Sequence, residues 1–220
     1  MKFTHLFFDL DGTLIDSRPG IFSSLYSMLG KLGIPESRWP VDFNPFIGPP
    51  LRDSFKSLFG FDEELTETAT TIYREYYSKT GMYEFTVYPG IVEALTHLKA
   101  AGFNLSIVTS KAESYAERMI SRAGFSDLFT TVSGCEINGN RSEKAELINY
   151  TLGKFGLQPS KQILMIGDRY HDLRGARMTG ISSAAVLYGY GSASELAAEK
   201  PCITITSPLE IAEKIIGAIG

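Results

Sequence analysis

The sequence predicts an α/β fold: a parallel sheet covered by helices on both faces, with an all-helical segment inserted after the first strand. Three observations predict it. Short apolar, β-rich runs recur along the 220 residues, helical patterns fall between them, and residues 17 to about 85 carry helical patterns with no convincing strand.

The elements can be justified in chain order. "FTHLFFDL" (3–10) is the first strand, short and ending in polar residues as buried parallel strands do. In the inserted segment Ile21, Leu25, Met28, Leu29 and Leu32 share one helical face, and Leu65, Ala69, Ile72, Tyr73 and Tyr76 share another. A loop rich in Pro and Gly, "NPFIGPPLRDS", lies between those two helices. Alternation resumes near "VYPGIVEALTHLKAAGF", where Ala94, Leu95 and Leu98 form an apolar face stopped by Gly102. "FNLSIVTS" (103–110) is the next strand, followed by a helix through Ala116, Met119, Ile120 and Ala123 that Gly124 stops. "TTVSG" (130–134) is a weaker strand, and Ala145, Ile148, Leu152 and Phe155 mark a helix stopped by Gly156. "QILMIGD" (162–168) and "SSAAVLY" (182–188) are strands, "CITIT" (202–206) is a weaker one, and the segment from Pro208 is helical in pattern.

Composition narrows the function. With 44% hydrophobic and 21% charged residues the chain reads as globular and able to bury a sizeable core. A net charge of -4 carries no polybasic footprint, which argues against nucleic acid. No apolar run is long enough to span a bilayer, and "MKFTHLFFDLDG" lacks the features of a cleaved signal peptide. Cys135 and Cys202 lie in no metal-type spacing and read as free thiols of a cytoplasmic protein.

The chemistry is concentrated at strand ends. The first strand finishes in Asp9 and Asp11, the second in Thr109 and Ser110, and a later one in Asp168, with Asp172 close behind. Open α/β sheets place their sites at the carboxyl ends of the strands. Carboxylates gathered there repel unless a counter-ion joins them, and Mg²⁺ suits a few carboxylates plus a substrate phosphate. Helix N-caps and solvated loop carboxylates are the competing explanation for any one of these residues. It is a poor one for Asp9, Asp11 and Asp168 together.

Four segments in order, "DLDGTLIDS", "IVTSK", "RSEKAELI" and "IGDRYHD", resemble the four signatures of the haloacid dehalogenase-type (HAD) superfamily. "YPGIVEALTHLKAAG", "GPPLRDSF" and "LYGYGS" are similar to phosphoglycolate-phosphatase-like members. The resemblance implies a three-layer, Rossmann-like core of residues 1–16 and 86–220 with a helical cap of residues 17–85. It implies a Mg²⁺-dependent phosphomonoesterase acting on a small phosphate ester through an aspartyl-phosphate, as a monomer or homodimer.

Residue by residue, Asp9 becomes the nucleophile, ionised at neutral pH without a base, and Asp11 the general acid and base. Thr109 and Lys144 become the groups that meet the phosphoryl charge, Lys144 at the start of a helix, an end that favours anions. Asp9, the backbone carbonyl of Asp11, and Asp168 become metal ligands, with Asp172 either a ligand or a partner behind them. Ser110 is a substrate-binding candidate, or a structural strand-end hydroxyl. Arg52, in a loop able to reach the core site, is either a substrate-binding residue or a surface arginine. Asp16 is expected to cap the helix beginning near Pro19. His5, His97 and His171 lack ligand spacing, and Tyr73, Tyr76 and Tyr77 read as packing. Rival readings are a phosphomutase of the β-phosphoglucomutase kind, a nucleotidase or pyrophosphatase, and a non-catalytic binding protein.

Overall fold

The computed structural model describes residues 3–49, 51–137 and 139–218. The chain divides into two compact units, one of Met1–Asp16 with Val87–Gly220 and the other of Ser17–Thr86.

The first unit is built on β1 (His5–Phe8), a short β2 (Ile15–Asp16), the Val87 end of β3 (Thr86–Val87), α4 (Ile91–Ala100), β4 (Asn104–Ala112), α5 (Glu113–Ala123), β5 (Thr131–Cys135), α6 (Lys144–Lys154), β6 (Ile163–Gly167), α7 (Tyr170–Thr179), β7 (Ser182–Val186), α8 (Ala193–Ala198), β8 (Ile203–Ile205) and α9 (Ile211–Gly217). Among the described residues six strands form one sheet in the order β5-β4-β1-β6-β7-β8, and β2 pairs with β3 separately. Each pairing in the large sheet is parallel. Strand order reverses direction at β1, flanked by β4 on one side and β6 on the other. That crevice is where open parallel sheets bind ligands. Leu6, Phe7 and Phe8 of β1 are fully buried, as are Leu164, Met165 and Ile166 of β6, so the apolar runs reflect a sheet covered on both faces.

All six expected strands form, but β4 is longer than the sequence indicated. It continues to Ala112 through an irregularity between Val108 and Ala112, so Thr109 and Ser110 lie within its distorted end. The helix α7 was not anticipated: "YHDLRGARMT" is mostly polar, and its buried face is Asp172, Leu173, Gly175, Ala176 and Thr179.

The second unit holds α1 (Arg18–Lys31), α2 (Leu51–Phe59) and α3 (Glu63–Lys79). Leu25, Met28 and Leu29 of α1 are buried, and the buried face of α3 is Thr66, Ala69, Thr70, Tyr73 and Tyr77. Phe55 of α2 is fully buried and meets the rings of Phe46, Phe59, Phe61 and Tyr73. Two expectations are corrected here. Arg52 is not in a loop; it lies in the first turn of α2, where its guanidinium pairs with Glu67 and, at 2.6 Å, with Glu63 of α3. The N-cap position of α1 is Ser17 rather than Asp16, which belongs to β2 and accepts a hydrogen bond from Tyr190 Oη at 3.1 Å.

Candidate active site

The site begins with the turn after β1. Asp9 follows the strand directly, and its N–H donates to Ile166 O of β6 at 2.9 Å, which fixes its backbone at the sheet's carboxyl end. The chain then folds back, with Leu14 N donating to Leu10 O and Gly12 N to Ile15 O. Gly12 has φ of 81°, and a Cβ there would lie 2.2 Å from Asp168 Oδ2. Glycine is required for both the backbone conformation and the close approach.

Asp168 follows β6 and is fully buried. Its carboxylate accepts from Thr13 Oγ1 at 3.1 Å and from Tyr190 N–H at 2.8 Å. Burial, followed by Asp172 and Asp9, pushes this carboxyl well above the ordinary range. The loop "LYGYGS" after β7 supplies Tyr190, so that segment serves the site. Asp172 lies in the first turn of α7, where Oδ2 accepts Arg169 N–H at 3.2 Å and caps the helix. A Cβ on residue 167 would sit 2.3 Å from Asp172 Cγ, so Gly167 lets the carboxylate fold over the strand end.

Lys144 is the first residue of α6 and is almost entirely buried. Its ammonium lies 2.9 Å from Asp9 Oδ1 and 2.7 Å from Asp172 Oδ1, and it donates to Val108 O at 2.9 Å. Burial opposes the charge on Lys144, but Asp172 and Asp9 together outweigh it and hold the ammonium above its ordinary pKa. For Asp9 the largest influence is burial, opposed by Lys144 and reinforced by Asp172 and Asp11; the carboxyl is pushed up to about 6. Three carboxyl groups and one ammonium therefore share a space mostly closed to water. Among the described residues, Asp9, Asp168 and Asp172 offer oxygens all within 4.8 Å of one another. Such a set of hard oxygen donors with excess negative charge fits a small divalent cation.

The carboxylate of Asp11 is not in that group. It accepts from Lys111 Nζ at 2.8 Å, both side chains being largely buried. Lys111 is the residue that sequence reasoning passed over. Its signal was its place in "IVTSK", but a lysine after a strand normally reads as solvated. The distorted end of β4 turns it inward. Thr109 is buried, and its Oγ1 accepts Lys111 N–H at 3.2 Å. Ser110 Oγ donates to Ser142 O at 3.1 Å, tying β4 to the loop before α6. His171 stacks near Tyr170, with ring centroids 3.8 Å apart, and burial lowers its pKa.

The parallel sheet, with acidic side chains and a buried lysine gathered at its strand ends, has the layout of an α/β enzyme whose site lies at the carboxyl edge of the sheet. A profile of haloacid dehalogenase-like hydrolases matches residues 6–186, and the chain belongs to that family. A protein of Pseudomonas aeruginosa named 5'-nucleotidase is 41% identical over 201 residues, spanning 91% of this chain and 90% of its own. One of Nitrosospira multiformis named phosphoglycolate phosphatase is 32% identical, spanning 94% and 93%. The crystal structure of a predicted phosphatase from Clostridium acetobutylicum superposes with a TM-score of 0.90 at 34% identity, covering 99% of this chain and 100% of its own. Other relatives carry the names pyrophosphatase, from Bacillus velezensis (32% identical, 91% and 90% covered), and tyrosine-protein kinase, from Mycobacterium tuberculosis (32% identical, 97% and 71% covered). Among the described residues no helix is long and apolar enough to cross a membrane.

Proposed function

We propose that the protein is a Mg²⁺-dependent phosphomonoesterase that works through an aspartyl-phosphate on Asp9, with a small phosphorylated metabolite as substrate. The observation that carries this reading is the placement of the Asp9 carboxylate at the end of the central strand, 2.9 Å from Lys144 and grouped with Asp168 and Asp172. A carboxylate in that position attacks phosphorus in line as the bond to the leaving oxygen breaks. Asp11, two residues on, gives a proton to the leaving oxygen and then takes one from the water that attacks the acyl phosphate. The bond between Asp9 and phosphorus then breaks, inorganic phosphate leaves, and the carboxylate is restored. Lys144 offsets the charge of nucleophile and phosphoryl group, the Thr109 hydroxyl donates to a phosphoryl oxygen, and Lys111 orients Asp11. Mg²⁺, held by Asp9, Asp168 and the carbonyl oxygen of Asp11, would neutralise charge on the phosphoryl oxygens. Asp172 has one oxygen on Lys144 and the other on Arg169 N–H, so its work is to hold Lys144.

The helical unit, residues Ser17–Thr86, is read as the cap that selects substrate. Phosphoglycolate-like acids are one substrate class. Nucleoside 5'-monophosphates are the second, favoured by the name of the 41%-identical relative. Phosphate release from a panel of phosphoglycolate, sugar phosphates, nucleoside monophosphates and pyrophosphate, each with Mg²⁺, tests the function and ranks the classes. Release from none of them would refute it.

A further inference from the structure

Three residues before Lys144 the backbone takes a conformation that side chains rarely adopt: Arg141 has φ of 57°. Its guanidinium is held from several sides. Nε and Nη2 donate to Gly134 O, at the end of β5, at 3.1 and 3.0 Å. The same group lies 3.8 Å from the ring centroid of Tyr150, which is on α6 itself. Glu113 and Glu136 carboxylate oxygens lie 3.7 and 3.9 Å away. Glu113 also accepts the Gly134 N–H at 3.0 Å, so the strand residue whose carbonyl Arg141 grips is held through its N–H as well. The next residue, Ser142, is tied through its carbonyl to Ser110 of β4.

We infer that Arg141 is a positioning residue for Lys144: its side chain clamps the start of α6 to the carboxyl end of β5, and so sets the ammonium on Asp9. The inference rests on the reading of Asp9 and Lys144 given above. Two observations support it. A non-glycine residue in the left-handed region persists only where surrounding contacts over-determine it, and such residues gather at functional sites. The guanidinium also bridges the two elements whose relative placement decides where Lys144 lies, the strand end through Gly134 and the helix through Tyr150. A planar fork that donates twice to one carbonyl while lying on an aromatic face is specific to arginine.

The test uses the full chain with Mg²⁺ and an aryl phosphate, in four variants: Arg141→Gly, Arg141→Lys, Lys144→Met, and Arg141→Gly with Lys144→Met. Glycine keeps the backbone conformation and deletes only the clamp. The expected result is a kcat about tenfold or more lower for Arg141→Gly, with KM changed by less than about threefold. Arg141→Lys should fall between it and the wild type, and serves as the test variant if the glycine form does not fold. In the Lys144→Met background the further loss should shrink to less than about twofold, because the clamp acts through the residue already removed. Amide hydrogen exchange in the first turn of α6 should be faster in Arg141→Gly than in the wild type. Wild-type kcat in Arg141→Gly, or the same loss with and without Lys144, overturns the inference alone. Wild-type kcat in Lys144→Met overturns the reading of the site, and the inference with it.

Discussion

Lys144 Nζ lies 2.9 Å from Asp9 Oδ1, although the two residues are 135 positions apart in sequence and both are largely buried. The pair also includes Asp172, 2.7 Å from the same ammonium. Lys144→Met would leave Asp9 and Asp172 without their counter-charge. Removing one partner of a buried pair costs about 3–5 kcal/mol, so the metal-free variant should melt well below the wild type at neutral pH. Activity should fall by roughly two orders of magnitude, the usual loss for one donor aimed at developing charge. Thermal denaturation and steady-state kinetics on one preparation check both.

Crowded carboxylates make stability depend on pH in an unusual direction. Asp9 is raised to about 6 and Asp168 is raised as well, both mainly by burial. A carboxyl whose folded pKa exceeds its unfolded value contributes stability that is present at low pH and lost as pH rises through the folded pKa. Lys144 is raised, so its contribution stays constant until far above neutrality. Glu195 and Glu210 are lowered and lose their contributions only in the acid range below the ordinary carboxylate pKa. His5 and His171 are lowered by burial, and each takes stability away as pH falls through its ordinary value. The Asp9 contribution is therefore read as a difference: without metal, the Tm of the wild type should gain on that of Asp9→Asn as pH falls from 7 to about 5.5, and a difference that stays constant or shrinks would contradict the raised Asp9 carboxyl.

Chelation should abolish turnover and Mg²⁺ should restore it. With Mg²⁺ at about 100 times its dissociation constant, linkage adds roughly 2.7 kcal/mol of stability. Ca²⁺ should bind but support little activity, since its looser geometry misplaces the attacking carboxylate. Full activity after exhaustive chelation would end this part of the account.

Lys111 Nζ is 2.8 Å from Asp11 Oδ1, so Lys111→Met frees the carboxylate to turn. An aryl phosphate with a good leaving group needs little protonation, whereas an alkyl phosphate needs it fully. The variant should lose about tenfold or more in kcat with the alkyl ester and less than about threefold with the aryl ester. Equal losses in single-turnover measurements would mean that Lys111 acts on the phosphoryl group instead.

Arg52 has its guanidinium fork on Glu63 and Glu67 within the helical unit. A substrate carboxylate would have to displace one of them. Arg52→Ala should accordingly change KM for phosphoglycolate by less than about threefold. A tenfold rise confined to carboxylate-bearing esters would show instead that the arginine leaves its glutamates for substrate.

Most of the sheet was legible because its strands are buried on both faces and so read as apolar runs. Asp9, Asp168 and Asp172 could be grouped in advance by their strand-end positions, whereas Lys144 entered through the family resemblance, with its helix start only a supporting sign. What was missed has a common cause: side chains whose polarity suggests solvent but whose surroundings compensate them. The helix α7 buries Asp172 against Lys144, which no apolar period announces. Lys111 is turned inward by an irregularity in β4 that the run "FNLSIVTS" does not betray. Arg52 was placed in a loop because two prolines precede it, yet the helix begins directly after them, at Leu51.

The central claim is that the phosphoryl group passes through Asp9. Asp11→Asn should slow release of the intermediate, since it lacks the base for the attacking water. Acid quenching of that variant with substrate and Mg²⁺, followed by borohydride reduction and peptide mass spectrometry, reads the acyl phosphate as homoserine at the position that carried it. The account predicts homoserine at position 9 and nowhere else, and none when Asp9→Asn is introduced alongside. Homoserine at another aspartate, or turnover by Asp9→Asn alone within about tenfold of the wild type, would contradict it.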